Sequence, residues 1–249
     1  MVQPRRRQKR AAPPGTNQSP NRILAALPPA DYARIRPQLT TVRLELKQQI
    51  ARPNQPIEAV YFPIDSVTSV LAVTADGGRI EIATIGNEGM AGLPLFLGAE
   101  TTPNHAFVQV AGTAERMTAA DFRGEARRAG ELERLLRLYT QGYLSQVSQA
   151  TVCNQRHPAG QRLARWLLAV QDRVGREEFQ LTHEFMGQML GVRRETVSEV
   201  ARALQQRGLI GYRWGMLRVL DRPGLERTAC DCYRIVRDEF DRLLRRRNG

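Results

Sequence analysis

Two periodicities divide the chain. From residue 40 to 116 apolar and polar positions alternate, with Val42, Leu44 and Leu46 set against Arg43, Glu45 and Lys47, and β-rich runs follow at 59–64, 66–74, 79–85 and 106–116. Arg52-Pro53-Asn54, Asp76-Gly77-Gly78 and Gly86-Asn87-Glu88-Gly89 punctuate these runs with turn chemistry. Many short strands at this spacing predict an antiparallel barrel or jelly roll. Ahead of it, residues 21–39 form two short amphipathic segments around Pro28-Pro29. After Asp121 the spacing turns helical, and Leu132, Leu136, Tyr139, Tyr143, Val147 and Ala150 fall on one stripe of a long helix. Such a stripe serves either as a core face or as a seam between two helices. His157-Pro158-Ala159-Gly160 breaks that helix and marks a hinge, and the next helix turns Leu163, Trp166, Leu167 and Val170 inward. A closing helix is expected from Asp221 onward, with Cys230, Tyr233, Ile235, Val236, Phe240 and Leu243 as its apolar positions.

The most informative stretch runs from Leu181 to Val219. Thr182 is placed to cap a helix whose apolar side is Phe185, Met186, Met189 and Leu190, and Glu184 suits its positive end. Gly191 supplies the left-handed backbone of a tight turn. In the second helix Val197, Val200, Ala201 and Leu204 make the buried face, and Arg194, Glu195, Ser198, Glu199, Arg202 and Gln205 the polar one. Gly208 ends it, and 209–213 and 216–219 read as a hairpin turning at Trp214-Gly215. Helix, glycine turn, helix and hairpin in this order predict a winged helix-turn-helix. At the start of the second helix stand residue types that read a major groove: arginine bonds guanine O6 and N7, and a carboxylate accepts from cytosine N4.

This order resembles the winged-helix domain of the Crp/Fnr family of bacterial regulators, whose plan residues 20–240 fit. The resemblance implies an α+β chain: a cyclic-nucleotide-binding-like jelly-roll-type β-barrel over 21–120, a dimerisation helix over 121–157, and a C-terminal winged helix-turn-helix over 158–249. It also implies a homodimer bound to double-stranded DNA at a near-palindromic site, with RNA polymerase a further candidate partner. Its Arg-Glu pair maps onto Arg194 and Glu195, whereas the arginine that relatives carry four residues after the Glu is Glu199 here. The half-site is therefore expected to differ. Arg194, Glu195, Ser198 and Glu199 are the expected base contacts, Thr182, Arg193, Arg202 and Arg213 the phosphate contacts. Leu132, Leu136, Tyr139, Tyr143, Val147 and Ala150 are the expected dimer seam.

The family's phosphate cassette would fall within residues 86–110, and Glu88, Gly89, Met90 and Gly92 are the candidate effector pocket. The Gly-Glu-Leu turn of cyclic-nucleotide binders is missing, and no Arg or Lys stands between Gly92 and Val110. A buried phosphate without a cation is costly, so either an unidentified effector other than cyclic AMP or regulation by abundance without a small ligand is expected. Glycines 86, 89 and 92 equally suit the turns of a β-roll. His105 is the one histidine in this stretch, and with only His157 and His183 besides it no axial pair for haem stands out.

Composition adds bounds. The 249 residues are 42% hydrophobic, enough for two cores, and the formal charge of +12 suits a polyanionic partner. Residues 1–20, with Arg5, Arg6, Arg7, Lys9 and Arg10, read as a disordered basic tail. Their charge also fits a rival reading, an architectural protein that coats DNA without choosing sequence. No apolar run forms a membrane span or secretory signal, so the cytoplasm is the expected location. Cys153, Cys230 and Cys232 lack C-x-x-C spacing, so no metal, iron-sulfur cofactor or disulfide framework is expected, and the cysteines read as small packing residues. No nucleophile, base and oxyanion set emerges, so the chain is not expected to be an enzyme.

Overall fold

Asn21 fastens the start of the fold. The computed structural model describes residues 19–75 and 77–245, so nearly all of the expected basic tail, and Asp76 of the expected turn, lie outside the described residues. Asn21 Oδ1 accepts from the backbone of Ile23 and Leu24, capping α1 (Arg22–Ala26), while its Nδ2 donates to Pro63 O and Gly89 O at 3.0 and 2.9 Å. One short polar side chain thus starts a helix and pins it to the strands behind. Helix α2 (Pro29–Ile35) and a single 3-10 turn lead into the β-roll.

The strands are β1 (Thr40–Leu44), β2 (Gln49–Ala51), β3 (Ala59–Pro63), β4 (Val67–Val73), β5 (Arg79–Ile85), β6 (His105–Val110) and β7 (Gly112–Thr118), with the short α3 (Leu93–Phe96) between β5 and β6. They form two antiparallel sheets, ordered β1-β7-β3 and β2-β6-β4-β5. The run expected over 106–116 is two strands in different sheets. The chain crosses over at Gly112, where a Cβ would lie 2.6 Å from Asp65 O, and Asp65 Oδ1 accepts from both Thr113 N and Thr113 Oγ1 at 2.7 and 2.8 Å. An alternating pattern runs through such a corner without a break, because both strands keep the same period.

Helices α4 (Ala119–Ala126) and α5 (Glu131–Arg156) divide the stretch expected as one helix. Leu132, Leu136 and Tyr139 are buried in the chain's own core with Leu24, Phe62, Met90 and Phe122, and Tyr143 and Val147 pack on Ile85 and Val70 of the β-roll. Ala150 is half-buried. The stripe expected at a dimer seam is therefore the inward face of α5. Periodicity locates a stripe but not its cover, and here α1, α4 and the β-roll supply it. The exposed apolar residues of α5 are Leu144 and Val152, 55% and 47% accessible and two turns apart.

After the break at His157-Pro158 come α6 (Ala159–Val174), β8 (Glu178–Gln180), α7 (His183–Leu190), α8 (Arg194–Gln206), β9 (Ile210–Arg213), β10 (Met216–Val219), α9 (Arg222–Thr228) and α10 (Cys232–Leu243). The wing has three strands, ordered β8-β10-β9, and β8 is too short to show a period in the sequence. Trp166, Phe185, Met189, Leu204 and Leu217 share one core with Val67, Leu71 and Phe107 of the β-roll. The closing helix is two helices, broken at 229–231, and Ile235, expected inward, is 49% exposed. Helix α10 returns along α5, where Phe240 stacks on Tyr139 with ring centroids 6.1 Å apart. Gly142 allows that approach, since a Cβ there would fall 2.6 Å from the Phe240 ring.

Candidate nucleic-acid interface

The turn between α7 and α8 is built as the residues demand. Thr182 Oγ1 accepts from Phe185 N at 3.2 Å, capping α7. Gly191 closes the helix at φ +61°, and Val192 N donates to Gly187 O. Val197, Ala201 and Leu204 then bury one side of α8 against α7 and α6. The other side faces solvent, with Arg194, Glu195, Glu199 and Arg202 exposed. Arg193 occupies the N-cap without a side-chain capping bond, which leaves the first backbone N–H groups of α8 directed outward.

Ser198 also makes contacts within the chain. Its Oγ donates to Arg194 O at 3.0 Å and lies 2.9 Å from His183 Nδ1. The imidazole stacks on Tyr212 of the wing, centroids 4.5 Å apart and planes 20° off parallel. Burial, and then the charge of Arg194, hold His183 below the usual histidine value, which favours the neutral ring. Ser198, His183 and Tyr212 thus lock α8, α7 and β9 together. The link joins residues from three elements, so no spacing along the chain announces it.

At the wing tip Trp214 and Gly215 both take positive φ, +55° and +77°, as a type I′ turn requires. Trp214 is 88% exposed, with the Arg213 guanidinium 5.9 Å from its ring centre. A bulky side chain in left-handed backbone costs on the order of 1 kcal/mol, and here it projects an indole beside a cation. The sequence marked Trp214 only as a turn position. Two other arginines of this region are tied to acids, Arg222 to Asp172 at 2.6 Å and Arg218 to Glu177 at 3.5 Å. Among the described residues no carboxylate pairs with Arg193, Arg194, Arg202 or Arg213. All four are exposed, as is Thr182.

The candidate effector residues separate. Glu88 is buried, its Oε1 accepting from Arg173 Nε at 2.9 Å and from Gly86 N at 3.3 Å. Gly89 lies against the Tyr139 ring, and Met90 is fully buried with its carbonyl accepting from Tyr139 Oη. Of the four, only Gly92 borders the cavity of the β-roll, together with Ile50, Val70, Ile85, Leu93 and Tyr143. That cavity has an apolar wall and no Lys, Arg or carboxylate lining it. Glu88 instead borders a second cavity shared with α6 and α10, beside Arg22, Arg165 and Tyr233.

The sequence also gave no sign that Cys153 and Cys230, 77 residues apart, meet with their Sγ atoms at 3.5 Å. Cys232 and His157 join them at the hinge.

Residues 161–228 match the family described as the Crp-like helix-turn-helix domain. No curated protein sequence matches the chain. Among solved structures the fold is similar to that of FixK2 from Bradyrhizobium japonicum, with a TM-score of 0.65 and 20% identity over 77% of this chain and 98% of that one. TTHA1359, a Crp/Fnr family regulator from Thermus thermophilus, gives 0.61 and 20% over 76% and 98%. The c-di-GMP responsive global regulator CLP of Xanthomonas campestris gives 0.60 and 14% over 77% and 99%.

Proposed function

From the match of residues 161–228 to the Crp-like helix-turn-helix domain, and from the fold, we propose a homodimeric, sequence-specific transcription regulator of the Crp/Fnr type that reads a near-palindromic DNA site through α8. The observation that carries this reading is the group of exposed cations without a carboxylate partner among the described residues, Arg193 at the N-cap of α8, Arg194 and Arg202 on it and Arg213 on the wing, with α8, α7 and β9 joined by Ser198, His183 and Tyr212. Rigid mounting matters because a bidentate contact to guanine tolerates little displacement.

Arg194 and Glu195, in the first turn of α8, reach base edges. Glu199, one turn on, discriminates by accepting from cytosine and repelling phosphate. Thr182, Arg193, Arg202 and Arg213 hold the backbone and set register. Two copies join through the outer face of α5, around Leu144 and Val152, which places two α8 helices on successive major grooves ~34 Å apart. Control comes from an effector that is not a cyclic nucleotide: the β-roll cavity has no cation to meet a phosphate, and its wall of Ile50, Val70, Ile85 and Leu93 suits an apolar molecule.

The test is selection of bound duplexes from a random pool by the purified chain at moderate salt. Enrichment of one two-fold-symmetric motif is the expected result. Salt-sensitive binding without any enriched motif, with apolar candidate effectors present or absent, would mark the chain as an architectural DNA-coating protein instead.

A further inference from the structure

At the junction of α5 and α6, four side chains from two distant segments converge. Cys153 stands on the last turn of α5, and His157, four residues on, is the residue that caps that helix. A helical turn puts positions i and i+4 on one side, so thiol and imidazole face the same way. Opposite them stand Cys230, in the break between α9 and α10, and Cys232, the first residue of α10. All four donor atoms lie within 4.8 Å of one another; Cys153 Sγ and Cys230 Sγ are 3.5 Å apart, as are Cys232 Sγ and His157 Nδ1. The three cysteines are buried, Cys153 completely.

We propose that Cys153, His157, Cys230 and Cys232 form a tetrahedral Cys3His site for a thiophilic divalent cation, zinc in the cell, which staples the α9–α10 connection to the hinge. Around zinc, with bonds of ~2.3 Å to sulfur and ~2.0 Å to nitrogen, the edges of a tetrahedron come to roughly 3.4–3.8 Å. Two of the donor pairs already stand at such a separation, and the others need only side-chain rotation. Three soft sulfurs and an imidazole select zinc over magnesium or calcium, which take oxygen. With four protein ligands no position is left for water or substrate, so the site is structural and not catalytic. The donors are gathered too tightly to surround a multi-iron cluster.

The surroundings fit a thiolate-rich site of net negative charge. Gln149 Nε2 donates to Cys232 Sγ at 3.2 Å, an amide aimed at a ligand sulfur. Arg162, whose Nη1 bonds Asn154 Oδ1 and Leu190 O, is near enough for its charge to interact with Cys153 and Cys230. Cysteines serving only as small packing residues would draw in neither an imidazole nor an amide donor.

The consequence is mechanical. Cys153 and His157 end the long helix just before the break at Pro158, and Cys230 and Cys232 begin the helix that lies back along it, so one ion spans the point about which the C-terminal part would turn. The inference is independent of whether the chain chooses a DNA sequence.

The full-length chain, purified under reducing conditions and passed through gel filtration, is assayed for metal by mass spectrometry, then stripped and titrated with Co²⁺. The expected result is about one zinc per chain, and for the cobalt form a thiolate charge-transfer band with the intense visible bands of a tetrahedral site. Cys232→Ser and His157→Ala each lower zinc content or affinity at least tenfold, and the chelator-treated wild type melts at a lower temperature and recovers on adding zinc. Because the wild-type stoichiometry and cobalt spectrum need no variant, misfolding of a variant leaves the test intact. Less than a tenth of an equivalent of zinc, with no thiolate bands after cobalt is added to the reduced protein, would overturn the proposal. So would a Cys153–Cys230 disulfide in the native chain without bound metal.

Discussion

Arg173 of α6 and Glu88 of the β5–α3 turn meet at 2.9 Å, both almost wholly buried, where the C-terminal part rests on the β-roll. The guanidinium also donates to Gln146 Oε1 on α5 at 3.0 Å and to Ala169 O within its own helix. Gln146 in turn donates to Thr84 O. One cation therefore ties three parts of the fold.

Replacing Arg173 by Met strands the Glu88 carboxylate in the interior. Urea denaturation should register a loss of about 3–5 kcal/mol, the usual cost of breaking a buried pair from one side. The double variant Arg173→Met, Glu88→Met removes both charges and should recover most of that loss. Equal losses in the single and double variants would locate the effect in packing of the α6 side chain.

Glu81 on β5 gives a pH dependence of definite sign. Its Oε1 accepts from Trp166 Nε1 at 2.9 Å and its Oε2 from Ser69 Oγ at 2.6 Å, but burial outweighs these donors and the charges of Arg165 and Arg173, and lifts its pKa from 4.5 to about 7. Between those values the folded chain keeps a proton that the unfolded chain has released, so stability falls as pH rises through the window and levels off above it. The Glu81 contribution lost across that window is on the order of 3 kcal/mol. Denaturation midpoints from pH 4 to 8 should show this slope in the wild type and a flatter one in Glu81→Gln; parallel curves would assign the titration to another group.

Arg194→Ala should weaken binding to the selected site by ~1–3 kcal/mol and broaden base choice opposite α8, with a much smaller loss on random duplex. Arg202→Ala should instead weaken both by a similar factor and lower the salt dependence by about one counterion. Fluorescence anisotropy at several salt concentrations separates the two. Equal losses on specific and random DNA for Arg194→Ala would remove it from base reading.

Leu144→Glu with Val152→Glu places charge on the outer face of α5. Sedimentation equilibrium should find the wild type dimeric and this variant monomeric, with unchanged helical circular dichroism because neither side chain enters the chain's own core. Leu136→Ala, by contrast, should cost about 2–5 kcal/mol of stability, as expected for a side chain buried within the protomer. A dimer that survives the double substitution would move the subunit contact elsewhere.

Much of this architecture was legible in local chemistry. Alternation at Val42 and Leu44 announced β1, though Leu46, which continues the pattern, falls in the turn after it; the Val197, Ala201 and Leu204 stripe announced the buried side of α8, and Gly191, Pro158 and Trp214-Gly215 the turn, the helix break and the wing tip, because each reports a backbone conformation set within a few residues. What faces what was decided only by the tertiary fold. The stripe from Leu132 to Tyr139 reads identically whether a second subunit or the same chain covers it, and the chain covers it. Ser198 reads as a groove-facing hydroxyl until His183 is found beside it. Cys153 and Cys230 carry no motif, since they stand 77 positions apart and the chain between them must fold before their sulfurs come within 3.5 Å. Periodicity follows from the geometry of one element; a site assembled from several depends on where long-range packing brings them, and no local spacing encodes that.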